Sequence, residues 1–131
     1  FSNSGNDALD LSGTHGRVVN SRFILTQDKA LSAGEKSVIH IEASEFEDNE
    51  LAVVSKDGSK VFINNSSFRM NQLDIVAYQK KLEYPMCELY VDSPRDLKTL
   101  IEEKVMTNFD AVRENNVLNM MNGNVYGRAS R

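Results

Sequence analysis

Ala30-Leu31-Ser32-Ala33 and Ala52-Val53-Val54-Ser55 stand at one phase of a repeat. Ala8-Leu9-Asp10-Leu11 precedes them in that phase and Asp74-Ile75-Val76-Ala77 follows. Leu9, Leu31, Val53 and Ile75 are therefore spaced by 22 residues three times running. A fixed period in the twenties, carried by strand-type residues, marks a chain that coils and stacks on itself.

A second column keeps the same register. Val18 to Phe23, Ile41 to Phe46 and Ile63 to Phe68 are all steps of five, and the polar text between them matches. Turn signals follow at Gln27-Asp28, Asp48-Asn49 and Asn71-Gln72. Each repeat thus reads as short strands separated by turns rich in Asn, Asp, Ser and Gly. Strand alternation points Leu9/Leu11, Leu31/Ala33, Val53/Ser55 and Ile75/Ala77 inward, and Asp10, Ser32, Val54 and Val76 outward. In the second strand Ile39/Ile41 and Val61/Ile63 face in, while His40 and Phe62 face out. Leu89/Val91, with Tyr90 outside, continue that column after an insertion at 82–87. Antiparallel hairpins also alternate, but they do not reproduce one order of polar and apolar positions every 22 residues.

The residues Asn6-Asp7-Ala8-Leu9-Asp10-Leu11-Ser12-Gly13, Asp28-Lys29-Ala30-Leu31-Ser32-Ala33-Gly34-Glu35, Ser55-Lys56-Asp57-Gly58-Ser59 and Ala77-Tyr78-Gln79-Lys80-Lys81 carry a resemblance. Over roughly residues 3–93 the chain resembles the C-terminal rungs of a bacterial right-handed parallel β-helix, the pectate-lyase-like superfamily. The resemblance implies about four rungs of 22–23 residues and a secreted or cell-surface setting. The same coil carries lyases, hydrolases, epimerases, tailspikes and adhesins, so the architecture does not name an activity.

The 131 residues carry 15 basic and 19 acidic side chains, a net charge of −4. This balance argues against a nucleic-acid surface, which needs a basic stripe. No apolar run approaches membrane-spanning length. Cys87 is the single cysteine, so neither an internal disulfide nor a cysteine zinc cluster can form. No cofactor motif or metal-ligand spacing stands out; Asp7, Asp10 and Asp28 are a weak calcium possibility. A solenoid end exposes unpaired edges and core side chains. Phe1 is not an initiator Met and the repeat is already running by Asp7, so further rungs upstream are the expected partner.

Beyond Ser93 the period stops, dividing the chain into rungs at 1–93 and a capping segment at 94–131. Ser93-Pro94-Arg95-Asp96 reads as a helix start. Leu97, Leu100, Ile101, Val105, Phe109 and Val112 then recur at helical spacing, predicting an amphipathic helix over 95–114. The helix resumes through 117–121 until Gly123, and the tail 127–131 reads as flexible. Two readings compete for the stripe: it plugs the end of the solenoid, or it packs on a second copy in a homo-oligomer. Met120, Met121, Val125 and Tyr126 extend the apolar surface.

On the outside of the second strand Arg17, His40, Phe62 and Tyr90 fall in one column, beside Glu42, Asn64 and Asp92. Aromatic columns on such a face hold sugar chains, and they also stabilise sheets by stacking. The turn after the first strand gathers Glu35, Lys36, Lys56, Asp57, Tyr78, Lys80 and Lys81. Lys56, Asp57 and Lys80 have the chemistry of a polysaccharide lyase. Glu35–Lys56 and Asp57–Lys80 ion pairs across rungs explain the same residues. The fold expected is mainly β, a short right-handed parallel β-helix closed by a C-terminal helix. The function expected is non-catalytic: the terminal segment of a larger secreted or surface protein, with carbohydrate binding or assembly. The alternative is the end of a polysaccharide lyase or glycoside hydrolase whose catalytic residues lie upstream.

Overall fold

A computed structural model describes residues 1–2, 4–94 and 96–122. The first three coils are built from β1 (Leu9–Ser12), β2 (His15–Val19) and β3 (Arg22–Ile24), then β4 (Lys29–Gly34), β5 (Val38–Glu42) and β6 (Glu45–Glu47), then β7 (Leu51–Lys56), β8 (Lys60–Asn64) and β9 (Ser67–Arg69). They are followed by β10 (Leu73–Tyr78), β11 (Glu88–Val91), β12 (Thr99–Glu102), β13 (Met106–Thr107), β14 (Arg113–Glu114) and a short helix α1 (Val117–Asn122). Every strand pairing is parallel, in three sheets ordered β1-β4-β7-β10-β12-β14, β13-β11-β8-β5-β2 and β3-β6-β9. The molecule is a parallel β-solenoid of about four turns.

The register follows the sequence columns. Leu9 lies opposite Leu31, Leu31 opposite Val53, and Val53 opposite Ile75. In the second sheet Arg17, His40, Phe62 and Tyr90 are successive partners, and in the third Phe23, Phe46 and Phe68 are. Like residues stack because identical backbone repeats place them one strand spacing apart. The three phenylalanine rings lie face to face in the interior, with centroids 4.8 and 5.1 Å apart. Phe1 adds a fourth ring, 4.7 Å from Phe23, and Ser2 bridges Ile24 in parallel. The phenylalanine column therefore begins at the first residue, one step earlier than the sequence pattern indicated.

The stripe at 97–112 forms strands, not a helix. Open edges of β10 and β11 template the following chain into parallel pairing, which overrides its helical spacing. The Lys98 amide donates to Asp74 at 2.9 Å, aligning Thr99 with Ile75. Adjacent residues of β12 are buried on opposite sides: Ile101 enters the main core, whereas Leu100 joins the outer cluster. Leu97, Val105 and Phe109 pack on the main core, and Val112 is 62% exposed.

The helical turn at 117–121 is present, but it does not plug the solenoid from below. Val117 and Met121 of α1 bury against Leu51, Val54, Leu73, Val76, Tyr78 and Leu100, on the outside of the first sheet. Val54, Val76 and Ser32 do face outward, yet they are fully buried. Val125, Tyr126 and the tail at 127–131 lie outside the described residues.

Corners repeat as faithfully as strands. Asn20, Ala43 and Asn65 occupy one corner with φ of 51°, 48° and 51°. Left-handed backbone suits Asn and costs an alanine about 1 kcal/mol. Ala43 is exposed, so Ala43→Asn should raise stability by about 1 kcal/mol in urea unfolding; a neutral or negative change would contradict the corner argument.

The two ends of the coil differ. Along the first sheet strand length falls from six residues in β10 to four in β12 and two in β14. At the opposite end β2 and β3 keep the five- and three-residue lengths of β5 and β6, while β1 has four residues against six in β4. There Ala8, Leu9, Leu11 and Val18 are only partly covered, and Phe1 is 55% exposed.

Candidate functional site

The outer face of the second sheet brings Arg17, His40, Phe62 and Tyr90 into one column, as their spacing indicates. His40 and Phe62 centroids are 4.8 Å apart, and Phe62 and Tyr90 5.3 Å, with interplanar angles of 11° and 20°. Rings that close and nearly parallel must stack face to face, because side by side in one plane they would clash. The faces are thus spent on one another and solvent meets ring edges. Sugar stacking on ring faces, the geometry that motivated the column, is not offered along its length. Polar groups surround the edges. Arg17 pairs with Glu42 at 2.6 Å, and Lys60 lies 3.6 Å from Glu88. The Tyr90 hydroxyl donates to Glu88 at 2.6 Å, which holds the phenol above its usual ionisation range.

The lysine-rich turn is organised differently from the expected ion pairs. Glu35 meets Lys81 at 3.2 Å, not Lys56, and also accepts from the Tyr84 hydroxyl at 3.3 Å. The Lys81 hydrogen bond, then one from Ser12, keeps the Glu35 carboxyl below its usual range. Asp57 is buried and accepts the backbone amides of Lys80 and Lys81, each at 2.7 Å. Its carboxylate anchors the backbone just ahead of the 82–87 insertion instead of facing a substrate. The Lys80 side chain lines an open groove of about 630 Å³ with Gln79, Leu82, Glu102, Lys104 and Leu118. Tyr78 is buried beside α1, and burial, with Asp57 adding to it, raises its phenol. The Lys56 stem crosses Gly34, where an added Cβ would come within 3.2 Å of it. Burial, then the neighbouring Lys29 and Lys80 charges, lowers the Lys56 ammonium. The candidates Lys56, Asp57, Tyr78 and Lys80 thus share a region, but they do not converge on one cleft.

Sequence reasoning missed Lys29. Its side chain has no exposure, and its Nζ lies 3.1 Å from Asp28 Oδ1 and 3.6 Å from Asp7 Oδ1. Two of the three carboxylates weighed for calcium are therefore engaged by an ammonium. Among the described residues no group of three or more potential metal ligands converges. Its position at the outer end of a strand gave no signal of burial. Asn49 and Asn71, read as turn residues, form an internal polar ladder. Asn49 Nδ2 donates to Phe23 O and to Asn71 Oδ1, both at 3.0 Å, while Asn71 Nδ2 reaches Phe46 O at 3.1 Å.

Cys87 is buried, its thiol donating to Ser55 O at 3.2 Å. Burial pushes the thiol up from 9.0 to about 12. A raised folded-state value stabilises fully below pH 9, and that contribution is lost as pH rises from 9 towards 12. Wild type should therefore lose about 1 kcal/mol more than Cys87→Ala between pH 9 and 10 in urea titrations. Iodoacetamide should label Cys87 only upon unfolding; rapid labelling of the native chain would contradict its burial.

No family model, curated protein or solved structure matches this chain. No described helix is long and apolar enough to cross a membrane.

Proposed function

We propose that the chain is the non-catalytic closing segment of a longer secreted or surface β-helix. The observation that carries this reading is the difference between the two ends. One tapers to two-residue strands, while the other keeps a four-residue β1, a five-residue β2 and a three-residue β3, with half-covered core side chains and the exposed ring of Phe1. An edge of that kind fits another rung, whose backbone would satisfy the free amides and carbonyls of β1 and β2. The coding sequence ahead of Phe1 tests it. Another 22–23-residue period in phase with Leu9 and Val18 supports the reading; an initiator Met a few residues upstream overturns it.

The exposed second-sheet face is the surface on which this reading places polysaccharide contact, through Arg17, Glu42, Asn64 and Lys60 around the ring edges. Because the ring faces are occupied, binding would rest on hydrogen bonds, and Arg17→Ala should weaken it more than Phe62→Ala or Tyr90→Ala. A glycan array with the three variants decides: no wild-type signal, or no loss in Arg17→Ala, ends the carbohydrate reading. A lyase or hydrolase would have to draw its catalytic groups from upstream rungs, since the Asp57 carboxylate is bound to backbone amides.

A further inference from the structure

We propose that Lys29 and Asp7 condense to an intramolecular amide, a covalent staple joining the loop ahead of β1 to the first residue of β4, with Asp28 relaying the protons. The inference does not rest on the reading of the chain as a closing segment. Three observations carry it. Lys29 is a primary amine sealed from solvent. Two carboxyls approach its Nζ, Asp28 at 3.1 Å and Asp7 at 3.6 Å. Asp7 is also tied to the Lys29 amide by a hydrogen bond of 3.4 Å, which holds its carboxyl against that residue.

Burial of this trio disfavours charge, and its first effect on both Asp7 and Asp28 is to raise the carboxyl. Asp10, Glu50 and Lys56 also act on this group. Transfer of a proton from Lys29 Nζ to Asp28 Oδ1, 3.1 Å away, leaves a neutral amine and a neutral acid. The amine lone pair then attacks Cγ of protonated Asp7. Asp28 returns its proton to the departing hydroxyl and accepts the one shed by nitrogen. One C–N bond forms, one C–O bond breaks, and one water leaves; no oxidant or further reactant is needed. Fixed proximity supplies the driving advantage, since well-oriented intramolecular partners reach effective concentrations of about 10⁵ M or more. Asp7 keeps 16% exposure, which gives the water a way out.

Mass spectrometry of the intact, folded wild-type chain tests the staple. The expected result is a mass lower than the sequence by one water, persisting in denaturant. Trypsin should then give segment 1–17 joined to segment 23–36, with no cleavage after Lys29. Asp7→Ala should restore the full mass, and Asp28→Ala should slow the loss at least tenfold. A full-mass wild type after prolonged incubation overturns the proposal. So does a water loss confined to segment 57–60, where imide formation at Asp57-Gly58 gives the same mass.

Discussion

Replacing Phe46 by alanine should lower stability by about 3–5 kcal/mol, the largest effect of any single truncation in the chain. Phe46 is completely buried, with its ring stacked 4.8 Å from Phe23 and 5.1 Å from Phe68. Truncation removes a large apolar side chain and two aromatic contacts, each of which adds about 0.5–1.5 kcal/mol beyond burial. It also opens a void along β6, which ladders to β3 and β9 hold on both sides and so keep from collapsing. Phe46→Leu keeps most of the volume and should cost distinctly less. Urea unfolding followed by far-UV circular dichroism makes the comparison. A cost below about 1 kcal/mol for alanine would mean that the interior stack contributes little.

The second large effect is expected at Asn49. Leucine there matches the shape but cannot hold the Thr26 amide, now bonded to Asn49 Oδ1 at 2.9 Å, or the Phe23 carbonyl. Both groups are buried, and each buried backbone group left without a partner costs about 1–3 kcal/mol. Asn49→Leu should therefore destabilise by about 3 kcal/mol, while Asn64→Leu, at an exposed strand end, should be near neutral. Equal effects at the two positions would show that the internal ladder is dispensable. Thr26, one rung earlier, leaves its Oγ1 without a hydrogen-bond partner among the described residues, so the ladder is complete only where asparagine supplies both a donor and an acceptor.

The coil was legible because inward positions repeat at a fixed step and must match their neighbours above and below. Leu9, Leu31, Val53 and Ile75 carry that constraint inside the coil, and Arg17, His40, Phe62 and Tyr90 stack in the same register outside it. The segment after Ser93 misled for a physical reason. Leu97, Leu100, Ile101 and Val105 satisfy helical spacing, but the same residues fall on turns and alternate faces of a strand when an open edge is waiting. Outward polarity misled twice more. Val54 and Val76 face outward as their spacing indicates, yet both are buried in a cluster that includes Val117 and Met121 of α1. Lys29, at the outer end of a strand, is buried among carboxyls. The candidate column was readable as an alignment of residues, but ring orientation was not, and orientation decides what a ligand can touch.

The narrowing strands give the molecule a mechanical polarity. Tension applied at the C-terminal end first meets the packing of α1 and then the two-residue pairings of β14 and β13. Traction at the opposite end meets ladders of four, five and three residues in β1, β2 and β3, and each coil is gripped only by its immediate neighbours. Rupture under load would then travel from the thin end in steps of one coil, leaving the broad end the last to yield.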